Sequence, residues 1–222
     1  ETNQYAATAF ILGCVMAALY YAHFKMFEGY ETVDPAELTA SKKVKSKDRT
    51  SAGDLVRSLV QNPPLIALML ADLAKFLFNF VVAGSAVYYF TYIAKNESLN
   101  ALYILITNIF CVIGSYLAKN IAKKLSSRNT AILMFFAMAV VLVVCNFLYA
   151  SVTAVIALMA IAQLGYGVAY SLTPALYTDT IIYSEWKTGK NATGWISGLQ
   201  NVPLKLGVLA RGIVVPACLA IA

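Results

Sequence analysis

Charged residues are scarce in this sequence. Only 13% of the 222 residues are Asp, Glu, Lys or Arg, whereas 60% are hydrophobic. Soluble domains carry roughly 25% charged residues, and a compact soluble fold of this size could not bury so much apolar surface. The composition therefore excludes a soluble globular domain and indicates that the excess apolar surface faces lipid.

Residues that bind metals or perform catalysis are also few. The chain has one histidine, His23, and each of its four cysteines lies alone in an apolar run: Cys14, Cys111, Cys145 and Cys218. Without paired histidines or CxxC spacing, neither a metal site nor a disulfide framework is predicted. No HExxH motif or intramembrane cluster of carboxylates points to a membrane enzyme. We therefore predict a protein that is not an enzyme and needs no cofactor.

Six apolar windows are long enough to cross a bilayer, which takes about 20 residues. They cover about 5–24, 64–94, 99–118, 130–149, 152–178 and 193–222. The sequence therefore predicts an all-α, polytopic membrane protein with six transmembrane helices. The one long polar segment, 25–62, is too polar to span and is predicted to be a loop or a surface helix.

Lysine and arginine are distributed unevenly between the connecting segments. Segments 25–62, 118–130 and 179–192 together hold 13 basic residues, whereas the turns between the other ends of the helices hold one, Lys95. The positive-inside rule assigns the basic segments to the cytoplasm. Because no basic face is interleaved with aromatic residues, nucleic acid is not an expected partner.

Two charged residues in the second window are candidates for a functional site. An ionised group at bilayer depth costs at least about 2.5–3.5 kcal/mol, so it usually faces a bundle interior or a water-filled cavity. Asp72 and Lys75 fall at positions i and i+3, on one helix face, where they can pair. Two interpretations stay open: an ion-coupling pair that lines a cavity, and a structural pair that fixes helix packing.

Lys205 is the charged candidate in the last window. At 1.5 Å per residue it lies about 18 Å from Thr193, near the middle of the membrane. The amide side chains of Gln200 and Asn201 lie beside it in sequence. A cavity that holds a polar solute would satisfy all three side chains. The alternative is a lysine neutralised by a carboxylate on another helix.

The segment before the last helix carries the most specific motif. It contains Tyr183-x-Glu185-Trp-Lys187-Thr-Gly, and Gln200-x4-Lys205 follows inside the next helix. This combination resembles the glycoside–pentoside–hexuronide:cation symporters, the melibiose-permease-like branch of the major facilitator superfamily. Looser matches are Tyr-Tyr-Phe at 88–90 and Ala-Lys-Lys-Leu-Ser-Ser-Arg at 122–128.

The resemblance implies a position for each segment in a twelve-helix fold. Residues 1–24 correspond to the last helix of the N-terminal half, 25–62 to the basic cytoplasmic loop between halves, and 63–222 to the C-terminal half. The six helices would then be helices 6–11. The final helix and most of the first half are expected to belong to a longer protein of which this chain is a piece.

The resemblance also implies roles for individual residues. It places four side chains near the sugar: Lys205, Gln200, Asn201 and Tyr170. It assigns four more to a cytoplasmic gating link: Asp179, Tyr183, Glu185 and Lys187. The sequence departs from the family pattern at Ile182, where an acid is common, and at Asn191, where a base is common.

The function that follows is cation-coupled symport of a sugar or glycoside by alternating access. The coupling cation would be Na+, Li+ or H+, bound mainly by the absent half, and the carrier would be a monomer in the inner cell membrane. A related carrier of another solute, such as a lysolipid, is the alternative. A channel is less favoured, because the sequence has neither arginines at every third position nor a re-entrant filter loop.

Overall fold

The computed structural model of the chain describes residues 2–28, 59–189 and 193–221, and within these ranges every regular element is a helix. The elements are α1 (Thr2–Phe27), α2 (Pro63–Tyr88) with a π-helical extension (Tyr89–Ile93), α3 (Ser98–Leu125), α4 (Ser127–Phe147), α5 (Val152–Thr188), α6 (Thr193–Leu199) and α7 (Asn201–Ile221). Among the described residues these make six helical segments long and apolar enough to cross a membrane, α6 and α7 together forming the last. The chain is a multi-pass membrane protein, as the sequence predicts.

The chain divides into two compact units, Glu1–Ser51 and Ala52–Ala222. In the first unit, α1 contains a 22-residue apolar stretch, Ala6–Phe27, which is exposed along its whole length. A helix that is apolar on all sides is typical of a membrane span. Lys25 and Glu28 form an exposed ion pair of 2.7 Å at its end. Of the predicted polar segment 25–62, residues 29–58 lie outside the described residues.

The second unit is built around α5, the longest helix, which packs against α2, α3 and α4. Two glycines let α3 and α5 approach backbone to backbone. A Cβ atom at Gly114 would overlap the carbonyl oxygen of Leu164, and one at Gly167 would overlap that of Cys111. Small residues at such contacts are typical of membrane helix pairs, where close packing drives association.

Helix α2 packs against both α5 and α7. Its start is capped by Asn62, whose side chain accepts a hydrogen bond from the backbone N–H of Leu65, with Pro63 following as the first helical residue. This is a favourable start, because proline lacks the N–H that would go unpaired there. On the α7 side, a Cβ atom at Gly207 would lie 2.8 Å from the Cβ of Phe76. The packing leaves α2 between the two helices that carry the other polar candidates.

Helix α5 is longer than the sequence predicts. The predicted end was residue 178, but the helix continues to Thr188 and ends where Gly189 adopts a left-handed φ of 66°. Residues 179–188 contain neither glycine nor proline, so nothing interrupts the backbone hydrogen bonds. Most of the predicted gating link is therefore a helix extension and not a loop. Helix α3 likewise runs to Leu125, beyond its predicted end at 118.

Candidate functional site

A buried ion pair lies between α2 and α5. The Lys75 ammonium donates to Asp72 Oδ1 at 2.5 Å, and the side chains of Lys75 and Asp72 are 0% and 3% exposed. Both residues lie on α2 at i and i+3, a spacing that brings their side chains onto one face. The structure thus brings together the two charged residues that the sequence singled out in this helix.

Thr173 of α5 completes a group that we call the polar cluster, consisting of Asp72, Lys75 and Thr173. The Thr173 hydroxyl accepts a hydrogen bond from Lys75 Nζ at 2.6 Å. The same hydroxyl lies 3.3 Å from Asp72 Oδ1 and 3.0 Å from the Ala169 carbonyl oxygen, to either of which it can donate. The cluster therefore joins α2 and α5 through a charged group that is removed from solvent.

Aromatic rings enclose the Lys75 ammonium. Its Nζ lies 4.8 Å from the centre of the Phe76 ring and 5.3 Å from that of Tyr170, distances at which a cation is attracted to a ring face. Tyr170 also stacks on Tyr166, with ring centres 5.9 Å apart. Although these contacts hold the ring, 52% of Tyr170 remains exposed. Tyr170 thus separates a buried cation from the surface of the second unit.

Two buried oxygens beside this group have no hydrogen-bond partner: Asp72 Oδ2 and the Tyr177 hydroxyl. Tyr177 is close enough to Asp72 to interact with its charge. Burying a polar oxygen without a partner costs free energy. Tyr177 therefore offers this carboxylate a hydroxyl donor from α5.

A second polar contact joins the two helices about one turn beyond Lys75 on α2 and almost three turns before Thr173 on α5. Gln163 of α5 donates to Asn79 Oδ1 of α2 at 3.2 Å. Asn79 follows Asp72 and Lys75 at the i+7 position, as the helical spacing predicts. Within the described ranges, no three His, Cys, Asp or Glu side chains come together as a metal site would require.

The α6–α7 candidates lie in a different environment. Lys205 and Asn201 are exposed on α7, and Gln200, between α6 and α7, is partly buried. Among the described residues, Lys205 makes neither an ion pair nor a hydrogen bond, and so it does not share Asp72 with Lys75. The structure brings Tyr170 to the polar cluster but does not place Lys205 in contact with it.

The predicted gating residues occupy the last three turns of α5. Lys187 donates to the Gln61 carbonyl oxygen at 2.7 Å and lies 5.7 Å from the Tyr183 ring centre. Glu185 Oε1 lies 3.5 Å from the Thr193 hydroxyl at the start of α6. Asp179 is exposed. Lys187 therefore links the end of α5 to the residues that precede α2.

Two further residues, Asn62 and Thr173, hold this region together and were not predicted as site residues. The Asn62 side chain, 1% exposed, donates to the Thr180 carbonyl oxygen at 3.0 Å and so forms a second link between α2 and α5. The sequence Asn62-Pro63-Pro64 is typical of a helix start, so it could have indicated that Asn62 caps α2, but not that Asn62 also bonds Thr180 of α5. Thr173 follows Tyr170 at i+3 and so lies on the same face of α5, but the spacing alone does not show that this face meets Asp72 and Lys75.

The fold and the site define a multi-pass membrane protein with a charged, hydrogen-bonded cluster inside its second unit. The family described as MFS/sugar transport protein matches residues 1–222. The chain belongs to this family, and this membership points to transport rather than to enzymatic catalysis. The family resemblance predicted from the motifs around Tyr183 and Lys205 is confirmed.

Two curated relatives are similar to part of the chain. The glucuronide carrier protein homolog of Escherichia coli (strain K12) is 26% identical over 164 residues, which is 71% of this chain and 35% of that protein. The uncharacterized symporter YjmB of Bacillus subtilis (strain 168) is 27% identical over 169 residues, 75% of this chain and 36% of that protein. The chain therefore matches only about a third of the length of these relatives. No solved structure matches it.

Proposed function

We propose that this chain is part of a cation-coupled symporter that carries a sugar or glycoside across the inner cell membrane by alternating access. Membership in the sugar transport family supports this proposal, as do the printed names of the relatives, a glucuronide carrier homolog and a symporter. The structural observation that carries it is the half-exposed Tyr170 ring next to the buried Lys75 ammonium.

Tyr170 has the properties of a platform for a sugar ring. Its contacts with Tyr166 and Lys75 hold the ring before any substrate arrives, so little side-chain freedom remains to be lost on binding. An aromatic face packs against the C–H face of a sugar, and the phenol hydroxyl can bond a sugar hydroxyl. Lys205, whose amine is exposed, and Asn201 would supply further hydrogen bonds from α7.

The remaining assignments complete this proposal. We propose that α1 is the last helix of the first half of a twelve-helix carrier and that Ala52–Ala222 contains helices of the second half. The coupling cation, Na+, Li+ or H+, would bind mainly to the other half, and the carrier would act as a monomer. The transported substrate would bind near the midplane, between halves that rock against each other.

We further propose that the α2–α5 links form part of the inner gate. Among the described residues, the buried bond from Asn62 to Thr180 and the exposed bond from Lys187 to Gln61 join the start of α2 to the end of α5. States of a carrier need differ by only a few kcal/mol, so two hydrogen bonds of ordinary strength are sufficient to bias them.

Uptake by vesicles that contain the complete carrier tests the proposal. Labelled neutral glycosides and a glucuronide are offered in turn, with Na+, Li+ or H+ gradients imposed separately. We expect accumulation of at least one sugar that depends on one of the gradients. Downhill movement of every sugar, unaffected by all three gradients, would contradict symport.

A substitution tests the proposed role of Lys205. Lys205→Ala removes a charge-assisted hydrogen bond worth about 1.5–3 kcal/mol, so we expect sugar affinity to fall about 10- to 150-fold. Lys124→Ala, at an exposed lysine near the end of α3, is the matched control and should leave affinity unchanged. If Lys205→Ala inserts normally into the membrane and binds sugar with unchanged affinity, Lys205 is not part of the site.

A further inference from the structure

A basic cavity lies between α3, α4 and α5, outside the polar cluster and the gating residues. Its volume is about 400 Å³, and its lining combines two lysines, three serines and three apolar residues: Ser115, Ala118, Lys119, Ala122, Lys123, Ser127, Ser171 and Leu172. It lies at the end of the helices that the distribution of lysine and arginine assigns to the cytoplasm.

The two lysines of this basic cavity have no counter-charge among the described residues. Lys119 and Lys123 stand at i and i+4 on α3, where like charges are neighbours and repel. The two ion pairs found within the described part of the chain are Lys25–Glu28 and Lys75–Asp72, and no acidic residue lines the cavity. An anion placed between the lysines would relieve this repulsion.

The hydroxyl groups and the start of α4 favour a phosphate in particular. Ser115 donates to the Gly167 carbonyl at 3.2 Å and is occupied, whereas Ser127 and Ser171 make no side-chain hydrogen bond with described residues. Ser127 opens α4, so the positive end of that helix dipole faces the same region. Two cations, two hydroxyl donors and a helix start together match the several oxygens of a phosphate group.

The size and depth of the cavity favour a lipid as the source of the phosphate. A cavity of about 400 Å³ is far larger than a single ion needs and suits a headgroup better. The 28 residues of α3 span about 42 Å at 1.5 Å per residue, longer than the hydrocarbon core, so Lys119 and Lys123 near its end reach the headgroup level. Basic pockets between transmembrane helices on this side bind anionic headgroups.

We propose that this cavity binds the phosphate of an anionic phospholipid at the cytoplasmic surface. The lysines would hold the phosphate, with Ser127 and Ser171 donating hydrogen bonds, while the acyl chains lie along the exposed apolar surface of α3. The proposed site is separate from the proposed sugar site.

Native mass spectrometry of the complete carrier, titrated with phosphatidylglycerol or phosphatidylcholine, tests this inference. Each lysine would give the phosphate a charge-assisted hydrogen bond whose loss lowers affinity about tenfold, so we expect Lys119→Gln/Lys123→Gln to raise the dissociation constant of the first phosphatidylglycerol about 100-fold. The matched control is Lys124→Gln/Arg128→Gln. It also removes two positive charges, from the end of α3 and the start of α4, but neither residue lines the cavity. The control should change the constant less than threefold.

Three results would overturn the lipid site. Equal losses in the two double variants would indicate general surface attraction, and equal binding of the two lipids by the unchanged carrier would exclude the net negative charge of the headgroup as the determinant. Displacement of phosphatidylglycerol by equimolar glycerol 3-phosphate would assign the site to a free phosphate compound. Should the first double variant not fold, Ser171→Leu fills the cavity while leaving both lysines, and retained lipid affinity in that variant would equally refute the proposal.

Discussion

Removing one partner of the Asp72–Lys75 pair should destabilise the carrier far more than removing both. Lys75→Met keeps the length of the side chain but leaves the Asp72 carboxylate buried and unpaired. Breaking a buried pair in this way costs about 3–5 kcal/mol. The pair is 0% and 3% exposed, so solvent cannot replace the lost ammonium. The substitution removes the ammonium bond to Oδ1 and leaves only hydroxyl groups, such as that of Thr173, near the carboxylate.

Asp72→Asn/Lys75→Met should recover most of this loss. With both charges gone, the remaining amide can still bond Thr173, and replacing a buried pair by uncharged groups is often neutral. The matched 164 residues are 35% of a relative, so the complete carrier has about 470 residues, and at that size each kcal/mol shifts the melting temperature by about 1 °C. We therefore expect Lys75→Met to melt about 3–5 °C lower and the double variant within about 1 °C of the natural carrier.

Thermal unfolding of the purified carrier, followed by circular dichroism, measures these shifts. Lys205→Met is the matched control, because it makes the same substitution at an exposed lysine. A melting temperature of Lys75→Met within about 2 °C of the natural carrier would refute the reasoning, as would a double variant no more stable than the single. Sugar uptake by the double variant then separates the two interpretations of the pair. Full uptake identifies a structural pair, whereas lost uptake in a stable protein identifies a role in transport.

Two further predictions concern packing and gating. Gly167→Ala places a Cβ against the Cys111 carbonyl and should destabilise the carrier by about 1–3 kcal/mol, whereas Gly198→Ala, with nothing within 4 Å of the new Cβ, should be neutral or stabilising in the same melting assay. Comparable effects at the two glycines would contradict the backbone contact of α3 and α5. Lys187→Gln weakens the link to Gln61, and Asp179→Asn and Glu185→Gln each remove a charge near it. All three variants should change the transport rate more than the equilibrium binding of sugar. A large loss of binding at normal turnover, measured with a labelled sugar, would exclude a gating role.

The membrane-spanning helices could be predicted from the sequence because lipid imposes one requirement on each of them, about 20 apolar residues. The Asp72–Lys75 contact could also be anticipated, since both residues belong to one helix whose spacing is known. The third member of the cluster could not, because Thr173 is 98 residues from Lys75 and their contact depends on which faces of α2 and α5 meet. The basic cavity could not be predicted for the same reason, because Ser171 comes close to Lys119 and Lys123 only through the packing of α3 on α5. The end of α5 was predicted wrongly because the charges at 179–188 suggested a loop, although no residue there breaks a helix.

Both links between the start of α2 and the end of α5 terminate on main-chain oxygens, those of Gln61 and Thr180. The side chains at these two positions could therefore drift during evolution without loosening either attachment. Paired substitutions would not accumulate between 61 and 187 or between 62 and 180, so a search for correlated changes among homologous carriers would overlook this region. The importance of this region would show only at the two donor residues, Asn62 and Lys187, where substitutions would be poorly tolerated.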